Sequence, residues 1–247
     1  MPSEETAIRT ADGECPTTVF TPSTGSGPWP AAIFYMDGLG IRPGLLDMGK
    51  RLADAGFLVL LPDLFYRVGA YAPLDPKEVF ASDDVRATLA PLMSSTDNRR
   101  AAQDTASFLE YLDSRDDVAG QKIGTTGYCM GGGISLTVAA TYPDRVAAAA
   151  SFHGGRLATD DELSPHLLAD KVAGRVYIGA ADNDNSYPPE MAGRLCEALM
   201  EASIDHRHDL YVGAAHGWTM RDGSVYDEAA AERHWDELIR LFDSCLR

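Results

Sequence analysis

Six apolar runs of strand length recur along the chain: Ala31 to Met36, Phe57 to Leu61, Lys122 to Thr126, Val146 to Phe152, Val176 to Ala181 and His208 to Val212. Between them lie longer stretches whose apolar residues return every three or four positions. Leu45, Met48, Leu52 and Ala55 mark one stretch, Phe108, Leu109 and Leu112 a second, and Met191, Leu195, Ala198 and Ala202 a third. Trp235, Leu238, Ile239, Phe242 and Cys245 mark the last. A continuously apolar strand is covered on both faces, and each helical stretch supplies one face to bury. The alternation therefore restricts the chain to an α/β fold, a mostly parallel central sheet with helices on both faces.

Ahead of this pattern, Ala7 to Thr10 and Cys15 to Phe20 flank an Asp12-Gly13 turn and are expected to be two short strands, followed by a loop from Pro22 to Pro30. The segment from Asp63 to Asn98 is interrupted by Gly69, Pro73, Pro76 and Pro91, and is expected to hold short helices overhanging one end of the sheet. Binding elements in open parallel sheets gather at the strand carboxyl ends. With no internal repeat and no linker, one domain spanning 1–247 is the expected organisation.

Composition narrows the partners. Asp and Glu number 37 against 21 Lys and Arg, a formal charge of −16, which argues against nucleic acid and anionic membranes. The amino terminus, Met1-Pro2-Ser3-Glu4-Glu5, lacks the basic start and apolar middle of a secretory signal, and no window of about 18 apolar residues is present, so a cytoplasmic location is expected. Cys15, Cys129, Cys196 and Cys245 are scattered singly, without a C-x-x-C pair or histidines at metal-ligand offsets. Free thiols are expected, with no metal and no cofactor. The sequence leaves the oligomeric state open.

The chemistry concentrates in Lys122 to Leu136, where a strand runs into Gly127-Tyr128-Cys129-Met130-Gly131-Gly132 and then a helix. This is a nucleophile-elbow pattern with Cys in place of Ser. A sharp strand-to-helix turn holds the nucleophile in a strained conformation, and only very small residues two before and two after it leave room. The helix start also favours a thiolate, and the Met130 N–H can point at a developing oxyanion. A glycine cluster by itself is equally a mark of close helix–strand packing or of a phosphate-binding turn. The flanking elements and the suitable residues downstream favour the catalytic reading.

His216, in Gly213-Ala214-Ala215-His216-Gly217-Trp218, follows the last strand in a small-residue loop and is the preferred general base. His153, beside Gly154-Gly155 at a strand end, is the second choice, while His166, His206, His208 and His234 are expected to be structural or solvated. An orienting acid belongs after the strand Val176 to Ala181, where Asp182-Asn183-Asp184-Asn185 offers two carboxylates. Either could instead cap a turn or the following helix.

From about Ala7 to its final helix the chain resembles the dienelactone hydrolase family of the α/β-hydrolase fold. The resemblance rests on Gly127-Tyr128-Cys129-Met130-Gly131-Gly132, on Leu60-Leu61-Pro62-Asp63-Leu64-Phe65-Tyr66, and on Ala215-His216-Gly217-Trp218. It implies Cys129 as nucleophile, His216 as base and, from an Asp with Pro188 four residues later, Asp184 as the acid. It also implies Gly38, after Asp37, as the second oxyanion donor beside Met130. The family's acid at that place is Glu, which helps to switch the thiol on; Asp37 is one methylene shorter. Family arginines that hold a substrate carboxylate fall at Arg86 and at Met220 with the adjacent Arg221, and Tyr128 and Trp218 are expected to complete the substrate site. The implied activity is hydrolysis of a carboxylic ester or lactone through a thioester acyl-enzyme. The alternative is a non-hydrolytic protein of the same fold, a thiol redox sensor or small-acid binder; a peptidase is weaker, since nothing marks a peptide groove.

Overall fold

A computed structural model describes residues 3–247. Strands β1 (Ser3–Thr10) and β2 (Gly13–Phe20) form the antiparallel hairpin expected around Asp12. Then β3 (Trp29–Tyr35), α1 (Pro43–Asp54) and β4 (Leu58–Pro62) make the first parallel unit. After a segment of short helices come α4 (Asn98–Asp113), β5 (Val118–Tyr128), α5 (Met130–Thr141), β6 (Val146–Phe152), β7 (Arg175–Asn183), α6 (Pro189–Glu201), β8 (His206–Ala215) and α7 (Glu228–Leu246). The eight strands lie in the order β1-β2-β4-β3-β5-β6-β7-β8, antiparallel at β1–β2 and β2–β4 and parallel elsewhere. This is the α/β-hydrolase architecture.

Successive residues of β5 point to opposite faces and show how the helices divide. Gly124 faces the Phe242 ring of α7, whereas the Thr125 hydroxyl meets that of Ser135 in α5 at 2.9 Å. The helices α1 and α7 share the first face, joined by the Arg51–Glu232 pair, with the Arg51 guanidinium over the Trp235 ring. Against α5 on the second face packs α4. Residues Gly131 through Ala140 of α5 are all buried, which is why this helix carries no amphipathic stripe in the sequence.

Two boundaries differ from the sequence reading. The loop after β2 ends sooner, because the Trp29 N–H donates to the Asp117 carbonyl and β3 already includes Pro30. Strand β5 starts at Val118, four residues before its apolar run, because backbone pairing of Val118 with Trp29 extends the ladder through exposed Gln121 and Lys122. The interrupted segment folds as a 3-10 turn (Tyr66–Val68) and two short helices, α2 (Pro76–Ala81) and α3 (Val85–Met93). Asp75 and Asp84 cap these helices by accepting from the N–H groups of Lys77 and Ala87. Among the described residues no helix is long and apolar enough to cross a membrane.

The strand order reverses between β3 and β5: the chain moves outward to β4 and later returns to β3's other side. Loops after adjacent strands part at such a switch point and leave a crevice at the carboxyl ends. Phe242, fully buried over Gly124 and edge-on to Phe57 at 5.6 Å, fastens α7 beneath that crevice. Replacing it in F242A is expected to cost about 3–5 kcal/mol in urea unfolding, through lost burial and the cavity left behind.

Candidate active site

Tyr128 ends β5 and Met130 begins α5, so a single residue, Cys129, makes the turn between them. Its backbone, φ 55° and ψ −113°, is one that side-chain-bearing residues rarely adopt. The Cys129 N–H donates to the Phe152 carbonyl at 3.1 Å, and its own carbonyl accepts from the Gly132 N–H at 3.1 Å, so both backbone groups are held. The flanking glycines are sterically required. A Cβ on Gly127 would sit 1.8 Å from the Gly131 carbonyl oxygen, and one on Gly131 would sit 2.3 Å from the Tyr35 carbonyl oxygen. Ordinary helix–strand packing tolerates alanine; this approach does not.

His216 follows β8, and its Nδ1 lies 2.6 Å from Asp184 Oδ2 in the loop after β7. Of the two carboxylates the sequence left open, Asp184 meets the imidazole, while Asp182 accepts from the exposed Gly213 N–H at 3.0 Å. The other Asp184 oxygen accepts from the N–H and hydroxyl of Ser186 at 2.8 and 2.6 Å, and the Ser186 hydroxyl also lies 3.2 Å from His216 Nδ1. With Nδ1 engaged, Nε2 is the nitrogen left for Cys129.

Burial by itself would depress the His216 imidazole, but hydrogen bonds to Asp184 and Cys129 and the charges of both outweigh it and push the pKa up to about 10. Burial likewise works to raise Asp184, yet hydrogen bonds from His216 and Ser186 hold it below the usual carboxylate range. Beside His216, edge to face at 5.2 Å, sits His153, fully buried, its pKa pushed well below the ordinary imidazole range by burial and by the neighbouring His216. His153 has φ 38° and meets the Thr219 hydroxyl at 2.8 Å through Nε2; its Nδ1 has no hydrogen-bond partner among the described residues. It therefore backs the His216 ring and does not line the cleft.

Gly38 follows Asp37 just past β3, and its N–H has no protein acceptor among the described residues. The Met130 N–H, first in its helix, has no acceptor within it. Met93 of α3 closes over Gly38, its sulfur 2.9 Å from where a Cβ would stand. Cys129, Met130, His216 and Ser186 line a cleft of about 330 Å³ together with Met93, Thr96 and Arg156.

Four expected substrate contacts lie elsewhere. Arg86 is exposed on α3, outside the cleft, and Arg221 is exposed beside the Tyr226 hydroxyl and lines a separate pocket with Lys50 and Arg51. The family resemblance placed Arg221, next to Met220, in the expectation, but the loop after Trp218 turns it toward α1 and α7. Tyr128 is fully buried with its hydroxyl 3.0 Å from His234 Nε2, and Trp218 is fully buried and stacked on Tyr211, so both rings are taken up by core partners. Asp37 is also engaged: its two oxygens accept from Arg42 Nη1 and Nη2 at 2.7 and 2.8 Å, and Oδ1 accepts from the Leu39 N–H as well.

Sequence reasoning missed Arg156 and Thr96. Arg156 follows His153-Gly154-Gly155 directly after β6, a strand carboxyl end, and its exposed guanidinium has no ion-pair partner among the described residues. Thr96 has a buried hydroxyl without a hydrogen-bond partner among the described residues. No group of three or more His, Cys, Asp or Glu among the described residues could hold a metal ion.

The profile of the Dienelactone hydrolase family matches residues 16–246. A protein of Escherichia coli K12 named as a candidate carboxymethylenebutenolidase is 27% identical over 241 residues, 96% of this chain and 85% of its own length. One of the same name from Synechocystis is 25% identical over 224 residues, covering 90% and 88%. The crystal structure of a candidate dienelactone hydrolase from Klebsiella pneumoniae superposes with a TM-score of 0.85 at 24% identity over 98% of both chains, which shows the shared fold.

Because His216 is raised above the usual imidazole range, its contribution to stability is complete below about pH 6.5 and fades as pH rises toward 10. An NMR titration should therefore find its ring protons shifting on the alkaline side. D184N should return that titration toward the ordinary imidazole range; an unshifted His216 in the native protein would contradict the pairing.

Proposed function

We propose that this chain, which belongs to the dienelactone hydrolase family and is a hydrolase of the ester or lactone type, works through Cys129 as nucleophile, with His216 and Asp184 as its base and orienting acid. The observation that carries this reading is the elbow. Its two glycines are the only residues that fit, and Cys129 stands in a strained conformation between them at the head of a buried helix.

In the attacking form the thiol proton has passed to His216, whose imidazole is held above its ordinary range by Asp184 and Cys129 against burial. The sulfur attacks the substrate carbonyl, and the negative charge that develops on oxygen is met by the Gly38 and Met130 N–H groups. As the tetrahedral adduct collapses, Nε2–H of His216 protonates the departing alkoxide, leaving a thioester on Cys129 and a neutral imidazole. That imidazole takes a proton from water, whose oxygen attacks the thioester. Collapse of this second adduct releases the carboxylic acid and restores the thiolate–imidazolium pair. Asp184 keeps Nδ1 protonated throughout, which fixes the tautomer and orients Nε2 toward the sulfur. The mechanism calls for no metal or cofactor.

C129A and H216A should each lower turnover of aryl esters and lactones on the order of 10⁴-fold or more. Iodoacetamide should silence the native protein in step with alkylation of one thiol. A native chain that hydrolysed no ester or lactone while forming a stable sulfenic acid at Cys129 would instead support the redox-sensing alternative.

Arg156 is the cleft's guanidinium. R156A should raise KM for carboxylate-bearing esters severalfold, an effect that shrinks with added salt, and leave neutral aryl esters unchanged. Equal loss on both substrate types would remove Arg156 from substrate recognition.

A further inference from the structure

Arg42 is the residue before α1, and its side chain is only 1% exposed. A guanidinium cannot shed its charge, so burial demands partners for it. Its Nη1 and Nη2 donate in parallel to the two Asp37 oxygens at 2.7 and 2.8 Å, Nη1 also reaches the Gly40 carbonyl at 3.2 Å, and Nε donates to Asp222 Oδ2 at 2.8 Å. These partners belong to two different loops. Asp37 and Gly40 bound the tight turn that contains Gly38, itself closed by the Gly40 N–H donating to the Asp37 carbonyl at 3.3 Å. Asp222 lies six residues after His216, in the loop that joins β8 to α7.

We propose that Arg42 is a positioning residue for ester hydrolysis at Cys129, stapling the turn that presents the Gly38 N–H to the loop that begins at His216. This rests on the proposed function. Gly38 can serve an oxyanion only if its N–H keeps a fixed direction, since a donor that must reorient during reaction gives up most of its value. Backbone turns are soft in torsion; a bidentate Arg–carboxylate fork is stiff in distance and plane. The staple has a second effect. Asp37 places a buried carboxylate one residue from the donor that would receive negative charge, and an unpaired anion there would oppose the oxyanion. Arg42 neutralises it at contact distance.

The test measures three rates on the full-length protein: ester turnover per titratable Cys129 thiol, KM for the same ester, and alkylation of that thiol by iodoacetamide. Alkylation is a displacement at carbon that forms no oxyanion, so it reports on the thiolate and His216 and is blind to Gly38. R42K keeps the charge and loses the fork; D222N keeps the Asp37 fork and weakens the tie to the His216 loop from a charged to a neutral hydrogen bond. R42K is expected to lower kcat about tenfold or more with KM and alkylation within twofold of native, and D222N about threefold with the same split. If R42K does not fold, D222N alone decides, since Asp222 is partly exposed. Native-like kcat in the folded variants, or a parallel fall of turnover and alkylation, overturns the role of Arg42. Absence of ester turnover in the native protein, with alkylation intact, overturns the functional reading itself.

Discussion

Everything at the head of the sheet depends on one close backbone approach. The Gly127 α-carbon packs against the Gly131 carbonyl, and Gly131 packs against the carbonyl of Tyr35 at the end of β3. No side chain fits in either gap, so β3, β5 and the start of α5 lock together as one unit. The lock holds Cys129 in a conformation that costs on the order of 1–3 kcal/mol, offset by its two backbone hydrogen bonds and by a helix buried on nearly every side. It also places the end of β3, with Asp37 and Gly38, beside the cysteine. Candidate nucleophile and candidate donor therefore share one rigid frame.

The charges around that frame are paired. Asp184 meets a raised His216, and Asp37 and Asp222 meet Arg42. A formal charge of −16 would suggest a field hostile to anionic substrates. Yet exposed charges are largely screened beyond about 8–10 Å in physiological salt, so the groups that decide recognition are those at the cleft. There Arg156 has no ion-pair partner among the described residues, while Asp97 is drawn to Arg100 at 3.7 Å.

The alternation of apolar runs made the sheet legible, and Val146–Phe152 falls on its strand to the residue. Gly127-x-Cys129-x-Gly131 and Ala215-His216-Gly217 were legible too, because local sterics and a strand end fix where such residues can point. Boundaries set by pairing were not: Val118 joins β5 through a partner 89 positions earlier, Trp29, and nothing in its own neighbourhood signals a strand. The expected substrate contacts were not legible, because whether a residue beside the elbow or the base faces cleft or core depends on what packs there: Tyr128 meets His234 and Trp218 stacks on Tyr211. Both rings are fully buried.

By itself the sequence determined the parallel sheet, the elbow and the order of candidate nucleophile, acid and base, since each follows from local pattern and backbone sterics. Local pattern left Asp182 and Asp184 open and the family resemblance chose Asp184, which the structure sets against His216; only the tertiary structure decided that Arg156 rather than Arg86 or Arg221 lines the cleft, and that Arg42 reaches Asp222, 180 residues away. Those choices depend on distances between segments remote in the chain, and such distances exist only once the sheet has brought the strand ends together.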